Sequence, residues 1–244
     1  MTTNCKLDLP WLVPQPANNK TLIIVGGSPS LKDNMASLKM KARMGAHIMS
    51  TNGTLKFLTD KGTTPDFHAQ FDARPENVGF VRSAPKNVSY LIGSMSDPSV
   101  LETLKDRSVI LWHGGFDVEK QLEILEPYKN RPIVIVGGGY TIGMRAILLG
   151  FHLGYRKFVL YGVDSSFSGD KHHAYPQKLN DNDRPVVAAY QGKEYNVAPW
   201  MYRQAMNFEE MHAAMLKRGC TIKVVGEGLI PDMCKYLNEQ NNVV

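Results

Sequence analysis

Short apolar runs alternate with amphipathic segments along most of this chain. The runs are rich in Val, Ile, Leu and Phe, which is typical of strands buried on both faces of a parallel sheet. The segments between them repeat apolar residues at helical spacing. This alternation predicts an α/β protein with a doubly wound, mainly parallel sheet of about seven or eight strands and helices on both faces. Strands are expected at 22–25, 47–49, 67–71, 88–92, 109–112, 133–136, 158–161 and 222–225, and helices near 31–43, 53–61, 98–106, 117–127, 141–152, 200–218 and 229–239.

The alternation spans residues 21–239, which we interpret as one domain preceded by an N-terminal extension at 1–20. The segment from Asp164 to Ala198 departs from it, with little periodicity and many Asp, Asn, Gly, His and Tyr residues. Such segments inside compact domains are usually lids or binding loops. Because this one follows a strand directly, we expect residues 165–198 to form a mobile lid or insertion at the functional edge. Side chains that can stack on a ligand or anchor the segment are Tyr175, Tyr190, Tyr195 and Trp200.

Two glycine-rich turns follow apolar strands, Gly-Gly-Ser-Pro-Ser at 26–30 and Gly-Gly-Gly-Tyr-Thr at 137–141. Each leads into a helical pattern, so backbone N–H groups and a helix N-terminus can approach an anion such as phosphate. Neither matches a Walker A loop or a strict GxGxxG. The alternative for the first turn is a tight bend whose serine only caps the helix. Ligand contacts are predicted from Gly26, Gly27, Ser28, Ser30, Gly137, Gly138, Gly139 and Thr141.

Polar residues follow nearly every predicted strand, where ligands bind in open α/β sheets. Asp72 and Asp164 each end an apolar run, and two such carboxylates can hold one Mg²⁺ that bridges phosphate oxygens. Helix capping is the alternative for either one. His172 and His173, in the predicted lid, are candidates for a general base or a phosphate contact, against the alternative of solvated side chains. Further polar residues at strand ends are Thr51, Asn52, Arg74, His113 and Ser165.

A dinucleotide or S-adenosylmethionine site is a weaker alternative for the second turn. Asp164 lies 21 residues beyond Gly143, at the end of the next strand. A ribose-binding acid occupies that place in dinucleotide folds. Spacing alone is weak evidence, so this interpretation stays behind phosphate binding.

The charge of the chain bears on its ligands and partners, and its cysteine content bears on its cellular location. The net charge is +5, which favours an anionic small-molecule substrate. The basic residues are scattered, so we expect no nucleic-acid partner. No stretch approaches 18 uncharged apolar residues, so no membrane partner is expected either. Three cysteines without metal-ligand spacing indicate a reducing, cytoplasmic location, and the oligomeric state stays open.

Three segments together resemble the 6-hydroxymethylpterin diphosphokinase MptE-like family, which includes flagellin-glycosylation accessory domains. They are GGSPSL at 26–31, STNGTLKFLTDKGTTPDFHAQFD at 50–72 and GGGYTIGMRAILLGFHLGYRKFVLYGVDSSFSGDKHHAYP at 137–176, and GEGLIPDM near the end extends the likeness to residue 232. The resemblance implies a Rossmann-like fold and Mg²⁺-dependent transfer of diphosphate from ATP to a pterin alcohol. Positions matching its motifs are Gly26, Gly27, Ser30, Asn52, Asp72 and Asp164, with Ser28 where the family usually has glycine.

The same motifs also resemble a bacterial sialyltransferase family with a GNGPSL turn and a long lid. Here Gly27 replaces the asparagine of that turn, and Gln191 falls where the catalytic histidine is expected. These departures count against that mechanism but leave another glycosyl transfer open, with His172 or His173 as base. The leading hypothesis is therefore a nucleotide-dependent transferase, using Mg²⁺ and either ATP or a nucleotide sugar as donor. A non-catalytic nucleotide-binding or scaffold module is the third alternative.

Overall fold

The computed structural model describes residues 3–115, 117–176 and 183–242. All eight predicted strands are present: β1 Thr21–Val25, β2 His47–Thr51, β3 Phe67–Gln70, β4 Ser89–Gly93, β5 Ser108–Gly115, β6 Ile135–Gly137, β7 Lys157–Tyr161 and β10 Thr221–Val225. They pair in parallel in one sheet of order β10-β7-β1-β2-β3-β4-β5-β6. A separate hairpin consists of β8 Val186–Tyr190 and β9 Lys193–Val197. This confirms the predicted α/β, doubly wound class.

The described part of the chain contains seven α-helices, each overlapping a predicted helical segment; six lie between strands and the last follows β10. Asp97 caps α3 by accepting a hydrogen bond from the Ser99 N–H at 3.0 Å, as its place before a proline suggests. The helices are α1 Met35–Arg43, α2 Thr54–Asp60, α3 Pro98–Thr103, α4 Val118–Leu125, α5 Ile142–His152, α6 Pro199–Leu216 and α7 Leu229–Gln240.

Alternate residues of the central strand β1 enter different cores. Leu22 and Ile24 pack in the cluster that contains α5, α6 and α7, whereas Ile23 and Val25 pack in the cluster that contains α1 and α2. All four side chains have no solvent exposure. A strand buried on both faces needs a continuous apolar run, which is why this strand was readable from the sequence.

The strand order reverses beside β1. The chain proceeds from β1 outward through β2 to β6 and then returns to the other side of β1 as β7. Two loops therefore diverge at the carboxyl ends of β1 and β7, which opens a crevice there. Gly26 and Gly162 allow the two loops to approach closely, because a Cβ on either would lie 2.4 Å from the carbonyl oxygen of the other.

The N-terminal segment packs into the domain. Trp11 forms a parallel bridge with Leu111, next to the half of β5 that pairs with β6. Cys5, Trp11 and Leu12 are buried, and the Arg131 guanidinium lies 4.2 Å from the centre of the Trp11 ring. The described part of this segment thus closes one edge of β5, while residues 1–2 lie outside the description.

The segment 165–198 contains structure that its low periodicity did not predict. Strands β8 and β9 form an antiparallel hairpin, with Gln191 and Gly192 at positive φ in its turn. The sequence pattern of β8 is weak, because Val186 and Val187 are neighbours and both are exposed. Apolar and polar residues therefore do not alternate along this strand as they do in a strand with one buried face. Residues 177–182 of the predicted lid lie outside the described residues.

Two further observations bear on the cellular context. All three cysteines are buried and free. No helix in the described residues has the length and apolar character needed to cross a bilayer. The cytoplasmic location stays a prediction.

Candidate functional site

A cavity of about 500 Å³ lies at the carboxyl ends of the strands, where the strand order reverses. Both glycine-rich turns contribute to its wall, so the two motifs meet at one edge of the sheet as predicted. We call it the switch-point cavity. Its lining includes Gly26, Gly27, Ser28, Thr51, Asn52, Phe71, Asp72, Arg74, Tyr140, Thr141, Ile142, Gly143, Arg145, Ser165, His173, Tyr175, Trp200 and Gln204.

The first glycine turn uses its backbone for the fold. The N–H groups of Gly26 and Ser28 donate to the carbonyl oxygens of Tyr161 and Gly162, at 2.8 and 2.9 Å. These two donors therefore join the turn to β7 and do not point at an anion. Gly27 is needed for another reason, since a Cβ there would lie 2.7 Å from the Tyr175 hydroxyl. The turn shapes the wall of the cavity more than it supplies donors.

The second glycine turn directs a helix N-terminus at the cavity. Gly138 and Gly139 both have φ near +74°, which glycine adopts readily. Among the described lining residues, this turn contributes Tyr140 and Thr141 but not Gly137, Gly138 or Gly139. The Thr141 hydroxyl caps α5 by accepting from the Met144 N–H at 3.4 Å. The first two residues of α5, Ile142 and Gly143, line the cavity, and the first N–H groups of a helix have no partner within that helix.

Arg145 is a buried cation that the sequence analysis missed. It is 1% exposed, and its guanidinium donates to the Val136 carbonyl at 2.7 Å and lies 4.4 Å from the centre of the Phe71 ring. Burial lowers its pKa to about 10, so it stays charged at neutral pH. The available signal was a single charged residue within the apolar run 142–151. A buried cation beside a helix N-terminus makes this wall strongly favourable for an anion.

Asn52 and Ser165 share two unusual properties. Both have a left-handed backbone, with φ of 46° and 50°, although neither is glycine. Both also carry a buried side-chain oxygen, Asn52 Oδ1 and Ser165 Oγ, with no hydrogen-bond partner in the described part of the chain. Strained backbone and unsatisfied polar atoms both cost stability, and such costs concentrate at binding sites. Asn52 was predicted on its position after β2, and Ser165 was among the polar residues at strand ends.

Asp72 lines the cavity and forms an ion pair with Arg74. The Arg74 side chain lies 2.6 Å from Oδ2 of Asp72, and the Arg74 backbone N–H donates to Oδ1 at 3.0 Å. Burial opposes ionisation of the carboxyl, but these hydrogen bonds and the charge of Arg74 lower its pKa below the ordinary value. Asp72 therefore remains an anion that is already neutralised by an adjacent cation.

Asp164 faces a different cavity. Its two oxygens accept from the Ser30 N–H at 2.9 Å and from the Ser30 hydroxyl at 2.5 Å. The side chain is 2% exposed, and burial raises its pKa to about 6, with the charge of Glu227 adding to that effect and the Ser30 hydrogen bonds opposing it. The structure thus separates Asp164 and Ser30 from Asp72 and the switch-point cavity.

One Mg²⁺ held jointly by Asp72 and Asp164 does not fit this arrangement. The two carboxylates line separate cavities, and both oxygens of each already accept from protein donors. No group of three or more His, Cys, Asp or Glu side chains in the described ranges is arranged to hold a metal ion. Among the described residues that line the switch-point cavity, Asp72 is the one carboxylate. Dependence on magnesium stays a prediction.

The two lid histidines have different environments. His173 lines the cavity, and its Nδ1 lies 3.3 Å from the Gly27 carbonyl oxygen. Its ring stacks on that of Tyr175, with centroids 5.9 Å apart. His172 is buried against Phe167 and does not line the cavity, and its Nε2 has no partner in the described residues. Only His173 is therefore placed to contact a ligand there.

The remaining predicted residues divide between the cavity and the core. Tyr175 and Trp200 line the switch-point cavity, and the Trp200 indole is held by Asp183, at 2.5 Å. His113 is instead buried under Trp11, where desolvation lowers its pKa to about 4. Thr51 lines the cavity, but its hydroxyl donates to the Val25 carbonyl at 2.8 Å.

The fold and site define a Rossmann-like α/β protein whose cavity combines cationic and aromatic walls. The family model described as 6-hydroxymethylpterin diphosphokinase MptE-like matches residues 2–170. This chain belongs to that family. The match covers both glycine turns, Asp72 and Asp164, and it ends before the hairpin.

A solved structure with the same fold is that of the MAf glycosyltransferase from Magnetospirillum magneticum AMB-1. It matches 96% of this chain with a TM-score of 0.68 and 16% sequence identity. At that identity the likeness shows the fold alone. This chain spans 39% of the length of that glycosyltransferase chain. No curated protein matched this chain.

Proposed function

We propose that this protein is a nucleotide-dependent transferase that binds its donor in the switch-point cavity. The observation that carries the proposal is the convergence of Arg145, the N-terminus of α5 and two unsatisfied side-chain oxygens on one cavity. A nucleotide offers the matching groups: an anionic phosphate, hydroxyl and amino donors, and a flat aromatic base. The family description adds that the chemistry is a group transfer.

In this proposal, the phosphate of the donor lies against α5. Arg145 supplies a buried positive charge, and Ile142 and Gly143 supply N–H groups that have no partner within the helix. Gly143 leaves space for a ligand, since a Cβ there would meet only the Thr141 hydroxyl, at 3.7 Å. The first glycine turn has the different role of admitting Tyr175 to the cavity wall.

We assign the sugar and the base to lining residues outside α5. Asn52 Oδ1 is an acceptor, so it requires an N–H or O–H from the ligand, and Ser165 Oγ can donate or accept. The rings of Tyr175 and Trp200 provide surfaces on which a base or a flat acceptor can stack. His173, beside Tyr175, is the group available to remove a proton from an acceptor hydroxyl.

Diphosphate or phosphoryl transfer to a small alcohol is the leading assignment for the transferred group, because the family is described by that activity. Mg²⁺, when bound, would neutralise charge on the phosphate oxygens. Asp72 is the carboxylate available in the cavity to hold it, together with the donor phosphates. Arg74 would have to yield at least one Asp72 oxygen.

Glycosyl transfer is the second candidate, and the Asp72–Arg74 pair favours it. A nucleoside monophosphate sugar carries one phosphate, which Arg145 and α5 can bind without a metal ion. Asp72 then keeps both contacts with Arg74, as the structure has them. The neighbouring MAf structure is described as a glycosyltransferase, which adds weight to this assignment.

A thermal-shift and calorimetric panel separates these possibilities. ATP, GTP, CTP, CMP, UDP and NAD would each be titrated with and without Mg²⁺, against native protein and Ser165→Ala. Binding of ATP that requires Mg²⁺ supports diphosphate transfer, and binding of CMP or UDP without it supports glycosyl transfer. Weakening by Ser165→Ala assigns the binding to this cavity. No binding by any nucleotide would contradict the proposal and leave a non-catalytic scaffold module.

A further inference from the structure

A row of buried polar side chains extends from β2 through β3 to the loop that carries Asp72. Ser50, His68 and Gln70 have no solvent exposure, and Asn77 is 1% exposed. The Ser50 hydroxyl lies 3.0 Å from Nδ1 of His68, and Nε2 of the same ring lies 3.5 Å from Gln70 Oε1. The Gln70 amide then donates to the Asn77 carbonyl at 3.1 Å. This row holds the backbone of Asn77 against β3.

The hydrogen bonds of the row all point in one direction. Gln70 Oε1 can only accept, so Nε2 of His68 carries the ring proton and Nδ1 accepts from the Ser50 hydroxyl. Burial lowers the pKa of His68 to about 4, which keeps the ring neutral at pH 7. The row ends at the Asn77 side chain, whose buried Nδ2 has no hydrogen-bond partner in the described part of the chain. Such a donor calls for a partner in another state of the protein.

The Asn77 amide lies beside the Asp72 carboxyl. Asn77 and Arg74 belong to one tight turn, since the Asn77 N–H donates to the Arg74 carbonyl at 3.1 Å. Burial opposes ionisation of Asp72, and the Arg74 contacts together with the Asn77 amide lower the pKa of the carboxyl below its ordinary value. The turn therefore brings two side-chain donors to one carboxylate, and of these two only Arg74 forms hydrogen bonds with it in this structure.

The Arg74 side chain is free to exchange partners. Its Nε and Nη2 both donate to Oδ2 of Asp72, at 2.9 and 2.6 Å. The side chain is 56% exposed and lines the switch-point cavity. Exposed ion pairs contribute little to stability, so an anion in the cavity can compete for the guanidinium. When Arg74 moves, Oδ2 loses both donors at once, and a partly buried carboxylate needs a replacement.

We propose that Asn77 is a positioning residue, which donates to Asp72 and holds its carboxyl in place when Arg74 transfers its guanidinium to a phosphate of the bound donor. Asn77 itself touches no substrate. The inference rests on the proposed function, in whose leading assignment Arg74 yields an Asp72 oxygen. It adds that Arg74 then becomes a phosphate ligand and that the buried row from β2 supports the exchange.

Calorimetry with inorganic pyrophosphate, on the full chain and without metal ion, tests the proposal. This probe presents phosphate oxygens without a sugar or base, so it reports on Arg74 independently of nucleotide recognition. We expect saturable binding that Arg74→Ala and Asn77→Leu each weaken by about three- to tenfold. Leucine has the branched shape of asparagine without the donor, and Asn77→Ala, which removes the donor with less bulk, repeats each comparison.

The double variant separates positioning from a general structural effect. In the Arg74→Ala background Asp72 lacks the arginine before and after binding, so Asn77→Leu should weaken pyrophosphate no further. A structural defect would weaken binding equally in both backgrounds. Two controls should leave the affinity unchanged: Arg82→Ala removes an exposed arginine outside the cavity lining, and Thr63→Val removes another buried, unpartnered polar atom.

Denaturant unfolding without ligand gives an independent measurement. Asn77→Leu should lower the unfolding midpoint more in the Arg74→Ala background than in the native chain, since Asn77 donates to Asp72 only when the arginine is absent. Equal shifts in the two backgrounds, no saturable binding of pyrophosphate, or unchanged affinity in both Asn77 variants would overturn the proposal. Loss of all nucleotide binding with pyrophosphate binding retained would instead contradict the proposed function alone.

Discussion

The Ser30 hydroxyl donates to Oδ1 of Asp164 at 2.5 Å, and the Ser30 N–H donates to Oδ2 at 2.9 Å. These residues are 134 positions apart in the chain, yet the one carboxylate accepts both hydrogen bonds. The pair joins the loops after β1 and β7 at the point where the strand order reverses. Both residues line a cavity other than the switch-point cavity, and the carboxyl is buried, so its protonation affects the stability of the fold.

The first prediction concerns pH and Asp164. Its carboxyl has an ordinary pKa of 3.8, and burial raises this to about 6 in the folded protein. At this carboxyl the folded state therefore binds more protons than the unfolded state between these values, so the contribution of Asp164 to stability falls by about 2–3 kcal/mol as pH rises through this window. The buried His68 and His113 act in the opposite direction, because burial lowers their pKa values to about 4 and stability rises as pH passes from there to their ordinary value of 6.5. The contribution of Asp164 is therefore measured by denaturant unfolding at pH 4, 5 and 7 against a variant that lacks the carboxyl.

Asp164→Asn is the matched variant for that experiment. Asparagine cannot ionise, so the stability of the variant relative to the native protein should increase between pH 4 and pH 7. Any constant effect of the altered contacts with Ser30 cancels in this comparison. A difference that does not change with pH would show that the native carboxyl titrates at its ordinary value.

The second prediction concerns Gly27 and Tyr175. Gly27→Ala would place a methyl group 2.7 Å from the Tyr175 hydroxyl, so the ring must move. We expect a loss of about 1–3 kcal/mol of unfolding free energy from overpacking. Adding Tyr175→Phe removes the clashing oxygen and should recover most of that loss. Denaturant unfolding of the two single variants and the double variant measures this coupling. If the losses of unfolding free energy in Gly27→Ala and Tyr175→Phe simply add in the double variant, the contact is contradicted.

The third prediction separates stability from binding at Asn52. Asn52→Gly relieves a left-handed backbone and removes the unsatisfied Oδ1, so it should raise unfolding free energy by up to about 1 kcal/mol. The same change should weaken nucleotide binding by about three- to tenfold, through loss of one buried hydrogen bond. Thermal unfolding and calorimetry on one preparation give both values.

Gln191→Gly provides the control, because Gln191 has φ of 48° in the exposed hairpin turn and does not line the cavity. It should stabilise the protein without changing affinity. If Asn52→Gly behaved in the same way, the strain at Asn52 would be a feature of the turn and not of a binding site.

The fourth prediction concerns the segment 165–198. The described part of it contacts the first glycine turn through the Ala174 N–H and the Gly27 carbonyl, at 2.8 Å. A bound nucleotide would contact His173 and Tyr175 from the other side and hold the segment down. Trypsin cleavage between Ser166 and Lys193, followed by mass spectrometry, should therefore slow when nucleotide is added. Equal cleavage rates with and without ligand would indicate a fixed structural insertion.

The sequence predicted the framework of the site better than its chemistry. The positions of Gly26–Ser28, Asn52 and Asp72 at the cavity follow from one rule, that ligand sites lie beyond the carboxyl ends of parallel strands. The rule does not say which side of a loop faces which cavity. Asp164 and Ser165 are adjacent at one strand end, yet they line different cavities. The positions of Asp72 and Asp164 at strand ends therefore do not show whether the two carboxylates meet in one cavity.

The sequence by itself determined the order and type of the elements of the eight-stranded sheet and of the seven helices, but not the hairpin of β8 and β9. Strands buried on both faces must be apolar throughout, and helices on a sheet must repeat apolar residues every three or four positions, so both patterns are local. The tertiary structure decided the rest. It directed the N–H groups of Gly26 and Ser28 to β7, buried Arg145 against Phe71, and joined Ser30 to Asp164. These contacts join residues that are far apart in the chain, and no local pattern encodes which partner each polar group meets.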